Sequence, residues 1–405
     1  MSPVDTAFII VCSMLVMLMT PALALFYGGL VRSRNVLSTT MHSFSMLGVV
    51  SILWAALGFT LAFGPDSGGL IGDLSALFLH GIGADPLPFA ETIPGVLFAA
   101  FQCMFAVLTV ALVSGSYAER IHFPAMLLFS ALWLIFVYCP MAHWVWGKGW
   151  LGELGALDFA GGAVVHMSSG AGALAAAHAI GPRMDLNGGG GGHIVPHNLP
   201  MTLLGGGLLW FGWFGFNSGS ALSAGVLAAH ALVTTHLAAA AGILGWILVE
   251  WKYTGKPTTL GAASGALAGL VAITPGAGFV EVLPAVLIGF VGGVVCYGAV
   301  LLKSRLGYDD ALDVVGIHGA GGTWGALATG VFAAAAVNGV DGLAYGNSGQ
   351  LWIQLISVAA TWIFCYTVSR ILLYLVDKLV GLRAAPESEL TGLDISEHNE
   401  RAYQI

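Results

Sequence analysis

The chain has 405 residues, of which 57% are hydrophobic and only 8% charged, with a formal net charge of -8. Soluble domains carry roughly 25% charged residues, so this composition and a mean hydropathy of +0.87 exclude an ordinary soluble enzyme or nucleic-acid binder. They point to an all-α polytopic membrane protein embedded in a lipid bilayer. Most of the 58 glycines lie inside apolar runs, where small residues let helix backbones approach closely.

Apolar segments of spanning length run at 4–31, 38–63, 93–118, 122–142, 159–181, 199–218, 221–250, 257–274, 279–302, 311–336 and 349–377, eleven in all. The first is too long for the apolar part of a signal peptide and continues into FYGGLVRSRN. It is read as a retained helix, with a cleaved signal as the alternative. Basic residues fall on alternate connections: Arg32 and Arg34; Arg120; Arg183; Lys252 and Lys256; Lys303 and Arg305; then Lys378, Arg383 and Arg401. The intervening connections hold only Lys148, and 64–92 carries Asp66, Asp73, Asp85 and Glu91. The positive-inside rule then places the N-terminus outside and the C-terminus in the cytoplasm. Cys12, Cys103, Cys139, Cys296 and Cys365 all sit in apolar runs without a C-x-x-C pair. They read as small core residues rather than disulfides or zinc ligands, and no metal or cofactor motif is present.

Eleven spans divide into five plus five plus one, which prompts a comparison of the halves. Asp158 and His166 are eight residues apart in LDFAGGAVVHMSSGAGALAAA, and Asp310 and His318 are eight apart in DDALDVVGIHGAGGTWGALATG. Small residues follow each histidine. Residues 1–181 are therefore expected to form a first five-helix repeat, 182–198 a cytoplasmic linker and 199–336 an inverted second repeat. An outer loop and the long eleventh helix follow over 337–381, then a cytoplasmic tail over 382–405. The glycine run in DLNGGGGGHIVPHN lacks the Gly-Lys-Ser/Thr of a phosphate loop and reads as flexible linker. With opposite orientations and a rise of about 1.5 Å per residue, each histidine lies roughly 12 Å inside its helix, so both reach the midplane. Each acid and its histidine are expected to share a broad helix face. A lone intramembrane histidine is often just an interhelical hydrogen bond. Two at matching repeat positions point to a functional pair, because ionisable groups at that depth mark pathways. Asp158 reads as a buried acid holding backbone and hydroxyl donors. Its partner among Asp309, Asp310 and Asp313 stays open.

The stretches FYGGLVRSRN, AERIHFPA, AHWVWGKGWL, ALDFAGGAVVH, FGWFGFNSGSAL and GIHGAGG resemble the ammonium transporter family (Amt/Mep/Rh), on its microbial Amt side. The resemblance runs from the first helix to GLDISEHNERAY in the tail. It implies eleven helices per subunit, a homotrimer in the cell membrane and one narrow pore per protomer. By motif, His166 and His318 resemble the twin histidines of the pore. Trp146, Phe105 and Ser220 resemble the outer ammonium site, and Phe105 with Phe216 the stacked phenyl gate. Asp158 corresponds to the acid near that site, while Phe101, Tyr138, Trp213 and Thr274 resemble supporting residues. On pattern alone, Phe101 and Phe105 at i, i+4 read as a packing pair rather than a gate, and Trp144, Trp146 and Trp150 as an interfacial belt.

Ammonium and potassium have similar size and charge. Aromatic faces attract either cation, so Trp146 and Phe105 concentrate without discriminating. Ammonium differs in its N–H donors, which Ser220 can accept, and in its removable proton. An apolar lumen makes carrying the intact ion costly, so deprotonation to ammonia opens a route closed to potassium. The resemblance implies electrogenic transport, with proton and ammonia on separate routes. A sensor on the same fold and a passive ammonia channel are the alternatives. An intramembrane enzyme is disfavoured by the absence of a nucleophile or H-E-x-x-H motif. The tail, GLRAAPESELTGLDISEHNERAYQI, resembles the family's ordered C-terminal region. Asp394, His398 and Glu400 are expected to meet Arg120, Arg183 and Lys303, and a PII-type nitrogen regulatory protein is the implied partner.

Overall fold

The computed structural model describes residues 1–184 and 195–404. The glycine-run linker expected between the halves lies mostly outside the described residues. Among these, nine helices are long and apolar enough to cross a membrane: Pro3–Leu30, Ser33–Phe63, Gly95–Ser116, Phe123–Leu154, Gly162–Ile180, Leu199–Gly219, Val226–Thr254, Val282–Leu306 and Ser348–Val380. Two further helical segments correspond to the remaining expected spans. Thr259–Ile273 has 15 residues, and a π-helical turn, Val315–Ala320, runs into the helix Gly321–Phe332.

Local chemistry sets several helix ends. Ser2 accepts the Asp5 N–H ahead of Pro3, Asn198 accepts the Met201 N–H ahead of Pro200, and Thr258 accepts the Gly261 N–H. Each cap satisfies an N–H that the first turn leaves without a helical partner. Gly255 and Gly307 end their helices in the left-handed conformation. The most extensive crossing is between Pro3–Leu30 and Leu199–Gly219. It is possible because Gly205 has no side chain: a Cβ there would meet the Phe26 N–H and lie 2.8 Å from the Ala22 carbonyl.

Two rods are interrupted by π-helical turns, at Trp54–Gly58 and Leu134–Tyr138, and two helices begin with one, at Gly162–Met167 and Val315–Ala320. The last two carry His166 and His318. An extra residue in the turn re-aims a side chain relative to a regular helix. This corrects the expected shared helix face: Asp158 and Asp310 lie outside their helices, ahead of the π turns, and their carboxylates turn to backbone.

The bundle has two distinct ends. The loop end gathers the start of the chain, where Ser2 N–H meets Thr92 O, and the Asp66–Gly72 hairpin, which holds Trp150 N–H on Gly69 O. Pro275, Phe279 and Ala334 join it through backbone hydrogen bonds. The tail end holds a buried ionic cluster. Arg183 spans both carboxylate oxygens of Asp309 at 2.8–2.9 Å and Glu119 at 2.8 Å. Arg120 donates to Gly181 O and Asp309 O. Burial alone pushes the Glu119 and Asp309 carboxyls up. The arginines outweigh it and hold both below their ordinary values.

The tail is folded against this end as two short helices, Pro386–Thr391 and Leu393–His398. Its partners differ from those expected. Arg120, Arg183 and Lys303 are already matched by Asp309, Glu119 and Asp313 within the connections. Asp394 instead accepts the Ser38 N–H at 2.8 Å, Glu397 faces His122 Nδ1 at 3.0 Å, and the His398 ring packs edge-on against Phe123. Glu389 pairs with Arg383 at 2.8 Å.

Candidate functional site

A cavity of about 270 Å³ opens at the loop end, walled by Phe63, Phe89, Phe98, Gln102, Phe105, Val145, Trp146, Phe159, Ser220 and Leu222. Trp146, at the end of the helix Cys139–Trp146, donates its indole N–H to the Asp158 carbonyl at 2.9 Å, which fixes the ring plane. Its ring stands at 89° to Phe105, with centroids 6.0 Å apart. Ser220 follows the last turn of Leu199–Gly219 and donates its hydroxyl to Phe216 O at 2.9 Å. Its hydrogen is thereby spent, so the oxygen faces other groups only as an acceptor.

The floor of this cavity is Phe105, stacked on Phe216 with centroids 4.2 Å apart and 25° between planes. Phe101 packs edge-on behind Phe105 at 4.9 Å. Phe216 in turn lies 6.1 Å from the His166 ring. His166 stacks on Trp213 at 5.4 Å, and the Trp213 indole N–H donates to Thr274 Oγ1 at 2.9 Å. Trp146, Phe105, Phe216, His166 and His318 thus form one continuous line of rings.

His166 and His318 meet through their Nδ1 atoms at 3.2 Å, with ring planes 27° apart. One Nδ1 must donate and the other accept. That leaves the two Nε2 atoms for other partners, and His166 Nε2 has none among the described residues. Both rings line a slender cavity of about 10 Å³ whose other walls include Leu23, Phe26, Leu108, Leu112, Leu209, Trp213, Leu267 and Ile317. This is about the space of one water molecule, in surroundings that offer a water few partners.

Asp158 is buried, and its carboxylate accepts four backbone N–H groups: Gly161 and Gly162 on one oxygen at 2.8 and 2.6 Å, Ala163 and Val164 on the other at 2.8 and 3.2 Å. It holds the first turn of the His166 helix. Asp310 plays the corresponding local part, accepting the Val315 N–H at 2.7 Å ahead of the His318 turn. Of the three acids left open in the second half, Asp310 is therefore the local counterpart. Asp313 instead contacts Lys303 at 2.5 Å, and Asp309 faces Arg183.

Of the expected site residues, Trp146, Phe105 and Ser220 line the outer cavity and His166, Trp213 and His318 the slender one. Phe101, Phe216, Asp158 and Thr274 contact these residues without lining either cavity, and the Tyr138 ring packs on Trp54 at 6.2 Å. The aromatic walls Phe63, Phe89, Phe98 and Phe159 were not anticipated. Neither was Gln102, whose buried Oε1 has no partner among the described residues. A glutamine inside the apolar run Gly95–Val113 was the one available signal; the phenylalanines carried none.

A bundle of membrane-length helices around a ring-lined path, interrupted by a histidine pair, defines a membrane transport protein. The model for the Ammonium Transporter Family matches residues 7–403, and the chain belongs to that family. It is 55% identical to an ammonium transporter of Bacillus subtilis (strain 168) over 403 residues, covering 99% of this chain and 98% of that one. Among solved structures, Saccharomyces cerevisiae Mep2 superposes with a TM-score of 0.90 at 38% identity, covering 96% of this chain and 88% of Mep2. A protein described as a Sensor Amt Protein superposes with a TM-score of 0.91 at 29% identity, covering 98% of both chains. The microbial Amt resemblance carried by the motifs is thereby borne out.

Proposed function

We propose that the protein takes up ammonium by binding it at Trp146, Phe105 and Ser220, removing its proton, and passing ammonia along the lumen lined by His166 and His318. The observation that carries this reading is the sequence of surroundings along one line. A roomy aromatic cavity with the Ser220 acceptor leads to a closed phenyl stack, then to a paired-histidine lumen with room for about one water. The first suits a cation, whose attraction to ring faces is worth about 0.5–2 kcal/mol. The last disfavours any ion, because its walls cannot replace the lost hydration. Gln102 Oε1 adds a second acceptor to the cavity.

On this reading Phe105 and Phe216 gate the passage and Asp158 keeps the His166 turn in place. Phe101, Trp213 and Thr274 brace the rings, and Tyr138 supports the fold behind them. The paired Nδ1 atoms fix each imidazole so that Nε2 meets ammonia, while the released proton crosses separately and makes transport electrogenic. The assembly we propose is a homotrimer of subunits with eleven crossings: an inverted five-plus-five repeat and the long Ser348–Val380 helix. The N-terminus lies outside the cell membrane and the folded tail in the cytoplasm, where a PII-type regulatory protein docks. A second reading, an ammonium sensor on the same fold, is favoured by the likeness to the Sensor Amt Protein.

The test is solid-supported membrane electrophysiology on reconstituted protein given ammonium and potassium pulses. Transport predicts a current with ammonium and none with potassium. Ammonium binding with neither current nor ammonia flux would replace transport with sensing.

A further inference from the structure

His143 lies three residues before Trp146 on the same short helix and is fully buried. Its ring has two partners, and both are acceptors: Nδ1 lies 3.0 Å from the Ala62 carbonyl and Nε2 lies 2.8 Å from Asp66 Oδ1. A neutral imidazole has a single N–H. With Asp66 ionised, both contacts are satisfied only by a ring that carries a proton on each nitrogen. Asp66 stands on the loop-end hairpin, and its carboxyl is held below its ordinary value, first by the hydrogen bond from His143 and then by the Gly69 N–H.

These two residues stand behind two wall residues, Trp146 and Phe63, of the loop-end cavity, the vestibule of the path. Asp66 follows Phe63 by three residues, and the Phe63 ring packs on Phe98 at 5.0 Å and on Phe89 at 5.3 Å. The chain around the pair is drawn together by Trp150 N–H on Gly69 O, the Trp144 indole on Leu70 O, and the Gly147 and Gly149 N–H groups on His143 O. The turn after Trp146 has no slack, since a Cβ on Gly147 would meet the Ala62 carbonyl and lie 2.7 Å from His143 Nδ1. Lys148, His80 and Asp66 line a neighbouring cavity that shares Phe63 and Phe89 with the vestibule. Lys148 Nζ sits over Phe89 at 5.6 Å, and Asp73 is engaged by Ser75. His143 therefore has Asp66 as its only ion-pair partner among the described residues.

We propose that the charge-assisted His143–Asp66 bridge positions the vestibule, tying the Phe63 wall to the Trp146 wall and so setting the geometry in which Trp146 meets a cation. Both residues are positioning residues: neither lines the vestibule. The proposal rests on the reading of Trp146 as part of the ammonium site.

Its test combines nitrogen NMR of ¹⁵N-histidine-labelled protein in lipid with ammonium transport kinetics. The expected result is one histidine with both ring nitrogens protonated, assigned by its disappearance in His143→Gln. Asp66→Asn abolishes that signature and raises the apparent KM for ammonium at least about tenfold at an unchanged maximal rate, the scale of one charge-assisted hydrogen bond. Asp66→Glu restores both. A His143 ring with one proton in the wild type overturns the proposal, and this spectrum decides the matter even if Asp66→Asn does not fold. An unchanged KM in folded Asp66→Asn overturns it equally. A wild-type protein that shows the signature but moves no ammonium overturns the transport reading instead.

Discussion

Replacing Gly170 with Ala is expected to break the histidine pair without touching either ring. Gly170 lies one turn beyond His166, and Gly319 is the neighbour of His318; the two glycines meet backbone to backbone. A Cβ on Gly170 would lie 2.5 Å from the Gly319 nitrogen and closer still to its Cα, with no flexible side chain to yield. Restoring an ordinary Cβ contact of 3.4 Å to the nearer Cα requires the two helices to part by about 1.1 Å. The Nδ1–Nδ1 distance, now 3.2 Å, would then open to about 4 Å, past the range of a hydrogen bond. Overpacking of this kind costs about 1–3 kcal/mol, which a well-packed bundle survives. The folded variant should therefore insert and purify normally while losing ammonium selectivity or flux in liposome assays. Gly207→Ala is the control, since nothing lies within 4 Å of a Cβ there. It should leave transport intact and raise stability slightly, through Ala's better helix propensity. Wild-type flux and selectivity in a folded Gly170→Ala protein would refute the claim that this backbone contact sets the histidine geometry.

Asp158→Asn leaves one acceptor oxygen for four backbone N–H groups and turns an amide toward two of them. Two unsatisfied buried donors cost about 2–6 kcal/mol, so thermal unfolding in detergent should shift clearly downward and transport should fall with it. An unshifted melting curve would show that the turn does not depend on the carboxylate. Glu119 and Asp309 titrate below their ordinary values in the folded protein. Their contribution is present above the unfolded carboxylate range and is lost as pH falls through the folded values. The tail-end cluster should thus lose stability on acidification, less so in Glu119→Gln; equal acid sensitivity in that variant would remove Glu119 from the account. Deleting the residues after Leu382 removes the Glu389, Asp394 and Glu397 contacts. Transport or coupling between subunits should drop while membrane insertion persists, and unchanged transport would make the tail a passive terminus.

The histidines were legible in the sequence because equal eight-residue offsets stand out against apolar runs, and the long spans because hydropathy suffices to find them. The π turns at Gly162–Met167 and Val315–Ala320 were not, since a shift in hydrogen-bond register leaves no mark in composition. That is why Asp158 was expected on a helix face and is found capping the turn instead. The lumen leucines Leu108, Leu112 and Leu209 look in sequence like any lipid-facing leucine, because burial depends on neighbours brought from distant segments. The tail partners were misplaced for a related reason. Charge alone suggested Arg120 and Arg183, but Glu119 and Asp309 reach them first.

The central claim is that ammonia passes the His166–His318 pair after its proton has been removed. Its most direct test is the current evoked by ammonium and by potassium in liposomes holding the wild type, His166→Ala or His318→Ala. The account predicts an ammonium-only current in the wild type, and loss of either the current or its selectivity in each variant while the protein stays folded. Wild-type ammonium currents with potassium still excluded in both variants would contradict it.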